Sequence, residues 1–275
     1  MKIWPITFGV FLAGLSNLSL GAQTPAPYTT VFYQSGGLRI EAYVYRPAGT
    51  GPFPVVIYSH GSRVGYEHEE RPMQFVGTTL AEAGYLVLVP ERRGYGKSDG
   101  ATFDQEVGKD LGSRMTARFV AEADDVIAGI TYAATIDGAD KARIGLVGFS
   151  HGGVVSIRVA SVRSDLRALV NQAGGSLTWP KSPELRRRLV EWARALKMPV
   201  LCLDATNDTT TEAVRTVCDA AHRAGAETAV KIYAAFSPKV TPGNIAPGHL
   251  IFTADGLPIW KPDVLGFLGA HLRSE

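Results

Sequence analysis

The chain has 275 residues, with 28 Lys and Arg against 26 Asp and Glu, for a net charge of +2. So small an excess excludes the broad basic footprint of a nucleic-acid-binding protein or of one held on an acidic membrane. Hydrophobic residues make up 45% and charged residues 20%, which excludes a disordered chain and suits one domain with a sizeable core.

The N-terminus has the pattern of a secretory signal. Lys2 supplies the positive start, residues 6–15 an apolar stretch, and Leu20-Gly21-Ala22 a cleavage site before Gln23. The apolar run is short and broken by Pro5, Gly9, Gly14 and Asn17, which argues against a retained membrane anchor. The expectation is a leader over residues 1–22 and one domain over 23–275. The mature chain is then periplasmic or secreted, with no stable membrane association. Cys202 and Cys218 read as a strand residue and a helix residue. In an exported protein they can form a disulfide or pack as two buried thiols, and both readings stand.

A β-like pair follows the leader, 29–34 and 38–45, joined at Gly36-Gly37. From there strands and helices alternate. The apolar run 53–58 is a strand, 71–83 a helix closed by Gly84, and 85–90 a strand. Residues 116–134 form a long amphipathic helix. Strand 143–149 leads into helix 154–163, and 166–171 is a further strand. Helix 184–196 precedes strand 199–204, helix 211–224 and strand 229–235. Residues 263–272 close the chain as a helix. These are eight candidate strands, the first two antiparallel. Short, nearly all-apolar strands alternating with helices predict a mostly parallel sheet covered on both faces. The longest irregular stretches, 92–113 and 237–249, are expected near the functional end of that sheet. The run Arg186-Arg187-Arg188 reads as a solvated helix face.

The most informative motif is Gly148-Phe149-Ser150-His151-Gly152, where the 143–149 strand meets the next helix. A serine on so tight a corner is lifted clear of the sheet edge, and the flanking glycines remove side chains that would collide there. The helix start aims free N–H groups at the reacting centre. A serine hydroxyl is a weak nucleophile at neutral pH. It needs a base, a group to orient that base, and donors for the oxyanion. His249, in Pro247-Gly248-His249 after the last strand, fits the base. Asp208, in the loop after strand 199–204, fits the orienting acid, with Asp204 as its rival nearer the strand body. The two oxyanion donors are expected to be the backbone amides of His151 and Ser62.

With Ser150, Asp208 and His249 in that order, the chain resembles the α/β-hydrolase superfamily. It is most similar to the dienelactone hydrolase and prolyl-oligopeptidase-like branch. The resemblance rests on His60-Gly61, on Arg92-Arg93-Gly94-Tyr95-Gly96-Lys97-Ser98-Asp99-Gly100, on residues 124–153, on Asn207-Asp208 and on Gly248-His249. It implies the α/β-hydrolase fold with a small lid or none, and hydrolysis of a small-molecule carboxylic ester through an acyl-enzyme. No metal or organic cofactor and no nucleic-acid partner are implied. Peptidase or amidase activity on the same residues, or a binding protein that kept the fold, are the alternatives. Two departures matter. Dienelactone hydrolases carry a cysteine where this chain has Ser150, and prolyl oligopeptidases carry a β-propeller for which there is no room here. A small lid would fall in 174–196, where Trp179 reads as a packing residue, with a place in an acyl pocket as the alternative. The Arg92 to Gly100 turn is expected to tie the crossover loops together near the site.

Overall fold

A computed structural model describes Met1 and residues 26–273. The leader expected at 1–22 lies outside the described residues, apart from Met1. The framework is one eight-stranded sheet in the order β1-β2-β4-β3-β5-β6-β7-β8. Strands β1 (Thr29–Ser35) and β2 (Leu38–Tyr45) are antiparallel, and β2 meets β4 (Leu86–Pro90) antiparallel. From there β3 (Phe53–Ser59), β4, β5 (Ala139–Phe149), β6 (Ala168–Gln172), β7 (Val200–Ala205) and β8 (Thr228–Tyr233) run parallel.

The alternation of side chains divides the core into two layers. On β3, Val55 and Ile57 face one cluster while Val56 and Tyr58 face the other; on β5, Leu146 and Val147 do the same. The first layer is covered by α3 (Ser113–Ala133), α4 (His151–Val162), α5 (Pro183–Ala193) and α6 (Glu212–Arg223). The second is covered by α1 (Gln74–Glu82) and α7 (Leu257–Leu272). A period of two on nearly all-apolar strands is what a sheet buried on both faces requires.

Several boundaries differ from expectation, each for a local reason. Pro72 and the left-handed backbone of Met73 (φ 51°) delay α1 to Gln74, past the expected start at 71. Helix α7 begins before 263 because Pro258 sits in its first turn, where a missing N–H costs nothing, and it tolerates Pro262 further in. A short helix, α2 (Phe103–Val107), was not expected. Its capping box pairs the Thr102 hydroxyl with the Gln105 amide and the Gln105 side chain with the Thr102 amide. Segment 174–196 does not form a lid helix over the cleft: α5 packs on the first layer with Leu185, Leu189 and Trp192 in the core. Arg187 and Arg188 lie on its exposed face, paired with Glu184 and Glu191. Cys202 of β7 and Cys218 of α6 form a disulfide with Cα atoms 6.3 Å apart, which selects one of the two open readings. Among the described residues no helix is long and apolar enough to cross a membrane.

Candidate active site

Ser150 stands at the junction of β5 and α4 with φ 54° and ψ −117°, a backbone region that non-glycine residues rarely occupy. The corner is held because its neighbours have no side chains. A Cβ on Gly152 would lie 2.0 Å from the Ser59 carbonyl oxygen, and one on Gly148 would lie 2.4 Å from the Gly152 oxygen. The Ser150 amide donates to the Gln172 carbonyl at 2.8 Å, tying the corner to β6.

His249 comes from a short 3-10 helix, Pro247–Phe252, after β8. Its approach to the β7 loop depends on Gly248, where a Cβ would lie 2.4 Å from the Asp208 nitrogen. Asp208 Oδ2 accepts the His249 Nδ1 hydrogen bond at 2.7 Å, and its Oδ1 accepts from the Thr209 amide. With Nδ1 carrying the proton, Nε2 is left as an acceptor 2.7 Å from Ser150 Oγ, on which the hydroxyl donates. His249 is 2% exposed, and Phe149 packs against it with ring centroids 5.1 Å apart. Thus Ser150, His249 and Asp208, far apart in the chain, form one continuous hydrogen-bonded line.

Asp204 takes no part in that line. It is fully buried in β7, accepts the Ser176 hydroxyl at 2.7 Å, and has its carboxyl raised to about 8, first by burial and then by the charge of Asp208. The His151 amide is the first of α4, where N–H groups have no intrahelical acceptor. Ser62 lines the same cleft as Ser150, and among the described residues its amide donates to no backbone carbonyl.

The cleft beside Ser150 and His249 has a volume of about 340 Å³. Its apolar wall is Met73, Phe75, Phe149, Leu177, Ile245 and Phe252, with Arg63 and Arg71 also lining it. Ile245 comes from the expected 237–249 loop. Met73, Phe75 and Leu177 were not singled out by their sequence, because a lone apolar residue beside a loop carries no signal of its own. Of the two readings of Trp179, packing is the one found: it is absent from the wall, packs in the first core layer, and donates its indole N–H to Glu212 at 3.2 Å.

Sequence reading also passed over a buried charged group beneath the site. Glu122 of α3 is 0% exposed and accepts from Arg92 Nε, Arg118 Nε and His151 Nε2, each at 2.7 Å. Burial works to raise its carboxyl, but His151, Arg92 and Arg118 outweigh it and hold it well below the carboxylate range. Burial, opposed by Glu122, lowers the His151 pKa. A second pair, Arg63 and Glu91, anchors the chain just after Ser62. The Arg92 to Gly100 turn joins the Glu122 group through Arg92 and the Arg93 carbonyl, and meets the second pair where the Arg63 guanidinium lies over the Tyr95 ring at 5.1 Å.

A model of the dienelactone hydrolase family matches residues 40–239. The chain belongs to this family. One relative of this dienelactone hydrolase family member is the Methylorubrum extorquens protein named "Putative carboxymethylenebutenolidase". It is 29% identical over 206 residues, which cover 68% of this chain and 67% of the relative. Another is the quorum-quenching protein AidA of Acinetobacter baumannii, 28% identical over 54% of this chain and 45% of that one. Among solved structures, the Pyrococcus furiosus esterase Pf2001 matches with a TM-score of 0.63 and 20% identity, over 90% of this chain and 93% of that one. The Pyrococcus horikoshii acylaminoacyl peptidase matches with a TM-score of 0.67 and 19% identity, but the match spans only 42% of it. These likenesses show that the dienelactone hydrolase family member has the α/β-hydrolase fold, and the family makes it a hydrolase.

Proposed function

We propose that this chain is an exported serine hydrolase that cleaves carboxylic esters through an acyl-enzyme. The observation that carries the reading is the line Ser150–His249–Asp208, closed by two 2.7 Å hydrogen bonds at the wall of an apolar cleft. Ser150 Oγ attacks the ester carbonyl while His249 Nε2 takes its proton. The amides of His151 and Ser62 stabilise the negative charge that develops on the carbonyl oxygen. His249 then hands the proton to the leaving alcohol, and Asp208 holds the imidazole and stabilises its charged form. Water, activated by His249, attacks the acyl group in the second step and frees Ser150.

The apolar wall suits an acyl chain or an aromatic acyl group better than a peptide backbone, which needs paired donors and acceptors along its length. Export is supported by the leader pattern ahead of Gln23 and by the Cys202–Cys218 disulfide, which suits an oxidising compartment. Initial rates on p-nitrophenyl esters of increasing acyl length, set against anilides of the same acids, test the chemistry. Ester turnover far above anilide turnover is expected. Comparable rates would favour a peptidase or amidase. N-terminal sequencing of the protein recovered from the exporting cell should begin at or beside Gln23; an intact Met1 would contradict export.

A further inference from the structure

The two expected oxyanion donors belong to different loops. His151 follows the nucleophile on α4, and Ser62 follows β3. Nothing in the line Ser150–His249–Asp208 fixes the distance between those two amides, yet an oxyanion must be reached by both at once. The buried Glu122 carboxylate is linked to both loops, to the first directly and to the second through Arg92. Its Oε2 accepts from the His151 ring at 2.7 Å and from Arg92 Nε at 2.7 Å. Arg92 Nη2 in turn donates to the His60 carbonyl at 2.9 Å, at the start of the loop that carries Ser62. The other carboxylate oxygen accepts from Arg118 Nε at 2.7 Å, and Arg118 binds the carbonyls of Arg93 and Ala101.

We propose that Glu122 is a positioning residue for the oxyanion site, setting the His151 and Ser62 loops in register through His151 and Arg92. It touches neither substrate nor the reacting atoms. Three features mark this as more than a buried ion pair. The acceptor that Arg92 holds is the carbonyl of the residue just before Gly61, so the bond fixes the peptide plane entering the donor loop. The loops abut: a Cβ on Gly61 would lie 3.4 Å from Ser150 Cβ, and one on Gly152 would lie 2.5 Å from that same His60 oxygen. The His151 ring is also packed by Phe119 and Phe103, with ring centroids 4.6 and 5.0 Å away, so its bond to Glu122 has little freedom to re-form elsewhere. Glu122 has both carboxylate oxygens bonded, and Arg92 bonds through Nε and Nη2, so moving either loop would leave a buried charge with fewer partners.

The inference rests on the ester-hydrolase reading, and the experiment separates the two. Purified Glu122→Gln and wild type are titrated with a fluorophosphonate to count competent active sites. Ester turnover per titrated site is then measured, together with the Kd of an alkylboronic acid, whose tetrahedral adduct on Ser150 needs the oxyanion donors. Glu122→Gln is expected to lower kcat per titrated site by about tenfold or more, as displacement of positioned groups does. KM should stay within about twofold, and the boronic acid Kd should rise in step with the loss of kcat/KM. A kcat per site within about twofold of wild type, or a rise in KM at unchanged kcat, overturns the inference, because a purely structural role changes the number of folded sites and not the rate at each. If Glu122→Gln yields no folded protein, His151→Phe carries the same prediction and the same contradiction. It keeps the backbone amide and the aromatic packing and removes only the bond to Glu122. A wild type that neither labels nor hydrolyses esters overturns the ester-hydrolase reading, and this inference with it.

Discussion

Asp208, in the loop after β7, bonds the His249 ring at 2.7 Å, while Asp204, near the end of β7, bonds the Ser176 hydroxyl at 2.7 Å and leaves His249 alone. The two carboxyls are close enough to act on each other. Burial and the charge of Asp208 raise the Asp204 carboxyl to about 8, so at neutral pH Asp204 is mostly a neutral acid. A neutral carboxyl cannot stabilise an imidazolium, which leaves that role to Asp208.

The first prediction separates the two aspartates by rate. Asp208→Ala should lower kcat by about 10⁴-fold, the scale found when a triad acid is removed. Asp204→Ala should lose far less. Comparable losses in ester turnover would show that the acid has been assigned to the wrong residue.

The same pair predicts a pH dependence of stability. An acid whose folded pKa is raised contributes fully below its unfolded pKa, about 4 for aspartate, and loses that contribution as pH rises through the folded value. For Asp204 the window therefore runs from there up through about 8. Asp204→Asn has no proton to lose. The Tm of wild type minus that of Asp204→Asn should fall steadily between about pH 5 and pH 9. A difference that stays flat or rises would mean that Asp204 is not protonated in the folded state.

These residues show what the sequence could and could not reveal. The strand-to-helix corner was legible because Gly148 and Gly152 are flanked by a period-two run and a helical run, and His249 because it follows the last strand. Which aspartate bonds His249 turns on where the β7 loop bends. Sequence favoured Asp208 by position, and the distances agree. The Glu122 group was not legible. Charged residues read as solvent-facing, and its partners Arg92 and His151 are separated from it by 30 and 29 positions. Trp179 had two readings because a Trp-Pro pair in a loop can face either way; its ring packs in the first core layer and its indole donates to Glu212 at the start of α6. Helix α2 was passed over although the Thr102 to Gln105 spacing carries a capping signal, because so short a helix shows no apolar periodicity.

The cleft wall predicts how specificity can be altered. Leu177 reaches the cleft from the loop before α5. Leu177→Trp should fill part of the space and lower kcat/KM for hexanoyl esters by about tenfold relative to acetyl esters. The ratio of the two rates for variant and wild type checks this. An unchanged ratio would mean that the acyl group lies elsewhere.

The disulfide predicts a stability change separable from activity. Cys202 and Cys218 close a loop of 16 positions between β7 and α6. The double variant Cys202→Ala/Cys218→Ala should be less stable by about 3 kcal/mol in denaturant unfolding, the scale for a loop of that length. Reductant should destabilise wild type and leave the variant unchanged. If reductant has no effect on wild type, the two thiols are not bonded in solution.

The most direct test of the central claim is covalent labelling. Purified mature protein is treated with a fluorophosphonate probe, with folded Ser150→Ala as its control. The account predicts stoichiometric labelling of wild type, mapped to Ser150 by peptide mass, and none of Ser150→Ala. Labelling that persists in Ser150→Ala, or a folded wild type that takes up no label, would contradict an activated serine at this corner.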